Sequence, residues 1–362
     1  MKIIISGYYG FDNIGDEAVL KCIVDEIKNR GINDITVLSN SPNYTSQTYG
    51  VKAVNRNSFK DIYKGIKRSD ILLSGGGSLL QDVTSSKSLW YYLSIIFLGK
   101  LLRKKVYIIG QGIGPINSRF NRWLTKKILN RLSGITVRDQ YSKRYLEELG
   151  VTKNIIVSAD PVVNLTVYKD DGIKAAKEKD GIELDSPYAI ICVREWDNSE
   201  LSRVELARAA DSINEEYGYK IVFLPFYYKK DYEESDRVAT YMKMPYEILS
   251  EKYDIDEMIS IIKHSKLLVG IRLHSLIFSF IALTPFIGIS YDPKVEGFLK
   301  AIGETDIIYI ENFTSEQILK KVKNIFNNEE KYIQNLEDNL KKLRELSKEN
   351  FDMIIKTNNF EV

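Results

Sequence analysis

Residues 2–20 read KIIISGYYGFDNIGDEAVL. Lys2–Ser6 is a short β-branched run of the kind found in a buried parallel strand. The run breaks into a loop carrying Gly7, Gly10 and Gly15. A helix is expected from Asp16, a good cap residue, with Ala18, Val19, Ile23 and Ile27 on its apolar face. Strand, glycine loop and helix together open the ligand crevice at the carboxyl end of a doubly wound α/β sheet. The glycine spacing is not G-x-G-x-x-G, and the next expected strand, Ile35 to Leu38, ends in Ser39 and Asn40 rather than in an acid that would hold a ribose. A dinucleotide site is therefore not expected. Asp12, Asp16 and Glu17 also disfavour phosphate at this helix start and suit a neutral, hydroxyl-rich ligand such as a sugar.

The chain has 362 residues, enough for two α/β domains with full cores. Its 51 basic and 49 acidic residues leave a formal charge of +2, so no global nucleic-acid signature is present. Cys22 and Cys192 fall within an expected helix and strand and read as small core residues in a reducing compartment. They form no metal-type cluster, and two histidines argue against a His-based zinc site, so no metal is expected. The start of the chain lacks the pattern of a signal peptide, and no apolar run reaches membrane-spanning length. The expected location is cytoplasmic.

Short apolar runs alternate with helical segments. Strands are expected at 2–6, 34–38, 71–74, 106–110, 135–137 and 155–158, then at 188–193, 221–224, 267–269 and 286–289. This is the pattern of two parallel sheets, each covered on both faces, in two Rossmann-like domains facing across a cleft. The polar stretch near 165–185 divides the chain into residues 1–168, residues 169–314 and closing helices over 315–362.

Ligand chemistry in such a fold is sought just after the strands. Ser74 leads into Gly75-Gly76-Gly77-Ser78, and Gly110 leads into Gln111-Gly112-Ile113-Gly114-Pro115. Arg138, Arg194 and Arg272 each stand at or just beyond a strand end, and together they suggest a small, multiply charged anion. Lys294 adds a cation at a helix start, although a solvated lysine there is also ordinary. His274 begins an expected helix beside Arg272, where helix N–H groups attract anions and the positive field lowers the pKa of an imidazole. It is the strongest acid–base candidate, whereas His264 reads as a surface residue. From Val83 to Arg138 there are eleven Lys and Arg and no Asp or Glu. Within that stretch LWYYLSIIFLGKLLRKK and FNRWLTKKILNRL read either as a contact for an anionic bilayer or as helices covering the sheet.

In order, GYYGFDNIGDEAVL, GGGSLLQDVTSSKSLWYYL, GQGIGP, TVRD, GIRLHSLIFS and GISYDPKVEGF resemble the polysaccharide pyruvyl transferases. The resemblance is best to the bacterial subgroup that pyruvylates secondary cell-wall polymers for surface-layer anchoring. It covers nearly the whole chain, and its specificity lies in the combination of motifs. Ser275 stands where a smaller residue such as alanine is usual, and CVREW departs from the common Arg-Pro-Trp.

The resemblance implies a glycosyltransferase-B-like fold, with phosphoenolpyruvate as co-substrate rather than a bound cofactor. The family's essential basic set falls on Arg138, His274 and Lys294, with Arg194 and Arg272 as further donor-anion ligands on the second domain. The implied acceptor is a polyprenyl-diphosphate-linked saccharide ending in N-acetylmannosamine, converted to a cyclic 4,6-pyruvate ketal. Its expected contacts are Gly10, Asp12, Asn13, Asp16, Gly76, Gly77, Gln81, Asp82 and Gln111 on the first domain. Such an acceptor implies peripheral attachment to the inner face of the cell membrane. Two other readings share these features: a sugar-nucleotide-dependent glycosyltransferase of the same fold, and a non-catalytic glycan- or anion-binding protein.

Overall fold

The computed structural model describes residues 1–83, 85–167, 169–196 and 200–358. In the first unit, β1 (Lys2–Ser6), β2 (Asp34–Ser39), β3 (Lys52–Asn55), β4 (Ile71–Gly75), β5 (Lys105–Gln111), β6 (Gly134–Val137) and β7 (Ile155–Val157) alternate with α1 (Ile14–Asn29), α2 (Pro42–Tyr49), α3 (Phe59–Arg68), α4 (Ser86–Leu101), α5 (Arg119–Leu129) and α6 (Gln140–Glu148). The sheet is parallel, in the order β3-β2-β1-β4-β5-β6-β7. Strand order reverses between β1 and β4, so the loop after each opens at the same point of the carboxyl edge.

The second unit repeats the plan. It contains α7 (Gly172–Asp180), β8 (Tyr188–Cys192), α8 (Glu200–Tyr217), β9 (Lys220–Phe223), α9 (Tyr228–Ala239), β10 (Tyr246–Ile248), α10 (Ile255–Lys263), β11 (Leu267–Gly270), α11 (Leu273–Ile281), β12 (Phe286–Ser290), α12 (Pro293–Ala301), β13 (Ile308–Tyr309) and α13 (Ser315–Phe326). Its parallel order is β10-β9-β8-β11-β12-β13, with the reversal between β8 and β11.

All ten expected strands are present. The three that the sequence reading did not anticipate, β3, β10 and β13, are the edge strands KAVN and YEI and the two-residue IY. These three are short edge strands without a purely apolar run of four or more residues, so periodicity does not reveal them. The first helix starts at Ile14, not at Asp16. Asn13 is its cap: the side-chain oxygen accepts from Gly15 N, and Nδ2 donates to Asp16 Oδ2 at 2.6 Å. Asp16 is thus a first-turn acid held by the cap, a position that favours negative charge. Cys22 and Cys192 are buried, and burial pushes both thiols up.

Contacts divide the chain at Leu165/Thr166 and again at Lys341/Lys342. Tyr168, the last residue of the expected first domain, lies outside the described residues, as do 359–362. The closing segment is shared between the units. In α14 (Glu329–Asn358), Tyr332 Oη donates to Phe286 O at 2.9 Å and Asn339 Nδ2 to Ile302 O at 2.9 Å, both within the second unit. Further along, Arg344 Nε donates to Val163 O, and Arg30 pairs with Asp352 at 2.8 Å, within the first unit. Asn350 is fully buried there. Its Oδ1 accepts from Thr136 Oγ1 at 2.5 Å and Ser158 Oγ at 2.7 Å, and its Nδ2 donates to Ala159 O at 3.0 Å.

That network predicts the cost of losing it. Asn350→Ala removes three buried hydrogen bonds and is expected to lower stability by about 2–4 kcal/mol. Asp352→Ala removes only a partly exposed ion pair and is expected to cost about 1 kcal/mol or less. Urea unfolding of the two variants checks the difference.

Candidate functional site

In the first unit the loop after β1 is fixed by an acid of the helix that follows. Glu17 is buried; its Oε1 accepts from Gly10 N at 2.7 Å and its Oε2 from Tyr49 Oη at 2.7 Å. Burial raises the Glu17 carboxyl above its ordinary range, against the opposing pull of those two donors. Gly10, at φ +77°, takes the left-handed turn, and Asp12 follows it there at φ +59° with its side chain exposed. The loop after β4 comes to the same place. A Cβ on Gly76 would lie 1.9 Å from Val19 Cγ1, so only glycine lets this backbone meet α1. A Cβ on Gly77 would lie 3.0 Å from Asp16 Oδ1.

The two glycine loops also hold each other. Gly112 N donates to Gly77 O and Gly114 N to Leu80 O, both at 2.9 Å, and Leu80 and Ile113 form a parallel bridge. Gly10, Asp12, Asn13, Asp16, Gly76 and Gly77 therefore gather at one point of the sheet edge, with Gln81 partly buried further along the chain.

Two members of the expected acceptor set make hydrogen bonds inside the protein, although the buried Gln111 Oε1 has no hydrogen-bond partner. Gln111 is 0% exposed, with Nε2 donating to Ser74 Oγ at 2.8 Å, so it braces the loop. Asp82 accepts from Asn117 N, Ser118 N and Asn121 Nδ2 at 2.7, 3.1 and 2.8 Å. Partial burial would raise its carboxyl, but these donors prevail and hold it below the ordinary range.

Arg138 is likewise not an open cation. It is buried, with Nη1 3.0 Å from Asp160 Oδ2, Nε 3.7 Å from Asp139 Oδ2, and Nη2 donating to Ser78 Oγ at 2.9 Å. Its guanidinium lies so close to Gly112 that a Cβ there would be 2.6 Å from Nη2. Two carboxylates thus answer this charge, and the residue ties together the loops after β4, β5 and β6. Asp139 is the adjacent acid in sequence, but Asp160, twenty-two residues on, is the nearer partner.

Sequence reasoning missed Arg56, which follows the unanticipated edge strand β3. Arg56 is buried, donates to Gly7 O at 2.8 Å, and has its Cζ 4.9 Å from the Phe11 ring centroid and 4.5 Å from that of Tyr91. Tyr8 and Phe11 stack at 4.1 Å beside it. Arginine on aromatic faces pins the β1 loop from the other side.

In the second unit the cations lie at the carboxyl edge of the sheet, around its reversal point. Arg194 follows β8 and donates to Tyr291 Oη, with its Cζ 4.2 Å from the Tyr291 ring centroid. Lys294 Nζ is 5.1 Å from the same centroid and 3.4 Å from Asp292 Oδ2, in the first turn of α12. Trp196 packs on Tyr291 at 5.0 Å. Tyr291, unnoticed as a site residue, is what brings Arg194 and Lys294 together. Its sequence signals were its place directly after β12 and within GISYDPKVEGF.

Arg272 caps the start of α11 and makes a two-toothed contact with Asp231. Asp231 is fully buried and also accepts from Phe226 N and Tyr227 N at 3.2 and 2.8 Å. Arg272 is therefore anchored by a carboxylate from α9. His274 is the second residue of α11, partly buried, with Nε2 shielded from solvent. Ser275 is buried and donates to Arg272 O at 2.7 Å, bracing the same turn. His264 is exposed and lies 3.0 Å from Asp170. Among the described residues no cluster of three or more His, Cys, Asp or Glu side chains could hold a metal ion, and no helix is long and apolar enough to cross a membrane.

A family model described as polysaccharide pyruvyl transferase matches residues 13–293, which span both of these edges. The chain belongs to the polysaccharide pyruvyl transferase family, an enzyme family. The chain is similar to the amylovoran biosynthesis protein AmsJ of Erwinia amylovora, 22% identical over 392 residues, with 91% of this chain and 93% of that protein covered. Among solved structures, the UDP-GlcNAc 2-epimerase of Neisseria meningitidis bound to UDP-GlcNAc superimposes with a TM-score of 0.64 at 13% identity, covering 98% of this chain and 100% of that one. A glycosyltransferase of Rickettsia africae gives 0.65 at 13% identity, covering 99% of each chain. At such identities the likeness is one of fold: two parallel α/β sheets of the glycosyltransferase-B-like type.

Glu17 yields a pH prediction. A carboxyl whose folded pKa is raised stabilises the fold when protonated, and that contribution is lost as pH rises through the folded value. The stability of the wild type relative to Glu17→Gln is therefore expected to fall as pH rises above the ordinary carboxylate range. Glu17→Ala, which strands Gly10 N and Tyr49 Oη, is expected to cost about 1–3 kcal/mol throughout. Chemical denaturation at several pH values checks both.

Proposed function

We propose that this family member transfers the enolpyruvyl unit of phosphoenolpyruvate to two hydroxyls of one sugar, forming a cyclic 4,6-pyruvate ketal and releasing phosphate. The acceptor is a polyprenyl-diphosphate-linked cell-wall saccharide carrying N-acetylmannosamine, and the ketal marks the polymer for surface-layer anchoring. AmsJ, named for amylovoran biosynthesis, supports a polysaccharide as the eventual product.

The observation that carries the donor is the cation set of the second unit. Arg194 and Lys294 both lie against Tyr291, and Arg272 and His274 begin α11, at the helix end where N–H groups attract anions. A three-carbon frame with one phosphate and one carboxylate calls for several fixed cations on one edge. The donor contacts are Arg194, Lys294 and the start of α11, with Arg272 held for this task by Asp231. Arg138, in the essential set the resemblance implies, is proposed to act through the glycine loops it braces.

The chemistry needs a proton donor for the methylene carbon of phosphoenolpyruvate, and imidazole is suited to this near neutral pH. His274 protonates that carbon, turning the methylene into a methyl group and leaving an oxocarbenium-like C2. One sugar hydroxyl adds to C2 and its proton returns to His274. The C2–O bond to phosphate then breaks, and the second hydroxyl closes the ketal, its proton leaving with phosphate. The sum is one phosphoenolpyruvate and one diol giving one ketal and inorganic phosphate. On the first unit, the hydroxyl-rich acceptor meets Asp12, Asn13, Asp16 and the backbone of Gly10, Gly76 and Gly77.

Phosphate release from phosphoenolpyruvate with a lipid-linked disaccharide acceptor tests the reading. His274→Gln is expected to lower turnover by about 10²–10⁴ with the fold intact by circular dichroism. Lys294→Ala and Arg194→Ala are expected to weaken phosphoenolpyruvate binding by about tenfold to a hundredfold in calorimetry. Consumption of a sugar nucleotide in place of phosphoenolpyruvate, or full turnover in His274→Gln, overturns it. Asp12→Ala is expected to raise the KM for the acceptor more than that for phosphoenolpyruvate, and the reverse pattern would move the acceptor off this loop.

A further inference from the structure

The helices α4 and α5 lie side by side on the first unit, and between them runs a groove of about 490 Å³ that the chemistry above does not use. Trp90, Leu93 and Phe97 of α4 form one wall, and Trp123, Leu124 and Ile128 of α5 form the other. These are residues at helical spacing that should, on periodicity alone, be buried. The inner face of α4 is buried, through Leu89, Tyr92, Leu93 and Ile96. The outer face is not: Phe97 is 44% exposed and Trp123 54% exposed. Trp90 Nε1 donates to Asn121 Oδ1 at 2.7 Å, so the indole is held in place and its apolar edge stays on the surface. An apolar patch of this kind on the surface marks an interaction site.

The charge around the groove selects the occupant. Exposed Lys127 and Arg131, with Ser94, complete its lining, which contains no carboxylate. Exposed Arg103, Lys105, Arg119 and Lys126 belong to the same stretch, in which no Asp or Glu occurs between residues 83 and 138. A second copy of the chain pairing through this face would oppose two basic rims, since a two-fold contact sets like patches together. An anionic lipid surface offers the complementary charge and also supplies aliphatic chains for the apolar floor.

We infer that the α4/α5 groove is a lipid site, by which the protein docks peripherally on an anionic bilayer and seats an aliphatic chain between Trp90, Phe97 and Trp123. Trp90 suits this position, with its polar edge satisfied and the rest apolar. Lys127 and Arg131 meet the headgroups. The attachment is reversible and salt-sensitive, since exposed charges are screened within about 10 Å in 0.1 M salt.

The full chain is mixed with vesicles of phosphatidylcholine alone or with an equal part of phosphatidylglycerol, and bound protein is read by flotation. The chain is expected to float with the anionic vesicles at low salt, and about 0.5 M salt is expected to release most of it. Lys127→Glu together with Arg131→Glu is expected to lower the partition at least about tenfold. Phe97→Asp, at an exposed position, is expected to lower it several-fold. Brominated acyl chains are expected to quench the tryptophan emission of a Trp196→Phe chain, whose remaining indoles are Trp90 and Trp123. That readout needs no change within the groove. Protein that stays unbound with anionic vesicles at low salt overturns the inference. So does flotation without bromine quenching, which would leave the groove empty, or a solution dimer that Phe97→Asp splits into monomers. None of these readouts uses turnover, so failure here and failure of the pyruvyl transfer reading are distinguished.

Discussion

Every strand pairing in both units is parallel. That constraint governs the rest. A parallel pair cannot be closed by a tight turn, so each strand must be followed by a crossover helix that carries the chain back. All loops that leave strand ends then collect along one edge of the sheet. In the first unit that edge receives the glycine loops after β1, β4 and β5. In the second it receives Arg194, Arg272, His274 and Tyr291. Neither unit needs an added domain to assemble its polar groups; the sheet itself sorts them.

The two edges differ in how they handle charge. The first is built on carboxylates and main chain. Glu17 grips Gly10 N, Asp16 stands beside Gly77, Asp82 holds the turn before α5, and Asp139 and Asp160 neutralise Arg138. The second exposes more of its positive charge. Arg272 has a buried carboxylate partner, but Arg194 is held by a phenol and aromatic faces. An arginine on a ring keeps its fork open to an anion in a way that an arginine between two carboxylates does not.

Much of this was legible in the chain. Ten strands declared themselves as short β-branched runs, because a strand buried on both faces must be apolar throughout. The edge strands β3, β10 and β13 were silent, and with β3 the reading also lost Arg56 and its aromatic cage. The candidate cations were legible as residues just past strands. Their partners were not: Asp231 lies forty-one residues before Arg272, and Asp160 twenty-two after Arg138. Gln111 and Asp82 looked like ligand groups because they follow or sit in glycine-rich loops, yet Asp82 is consumed by three internal donors and Gln111 is buried with its Nε2 on Ser74.

By itself the sequence determined the class of fold, the rhythm of strand and helix, the glycines at points of close approach, and the family-defining combination of motifs. These are local properties, set by side-chain volume, branching and backbone freedom over a few residues. Tertiary structure alone decided which charges remain available. It buried Arg138 between two acids, set Arg194 and Lys294 against Tyr291, divided α14 between two units, and left the outer faces of α4 and α5 uncovered. Pairing and exposure depend on what residues distant in sequence bring to the same place, and no window of neighbouring residues contains that information.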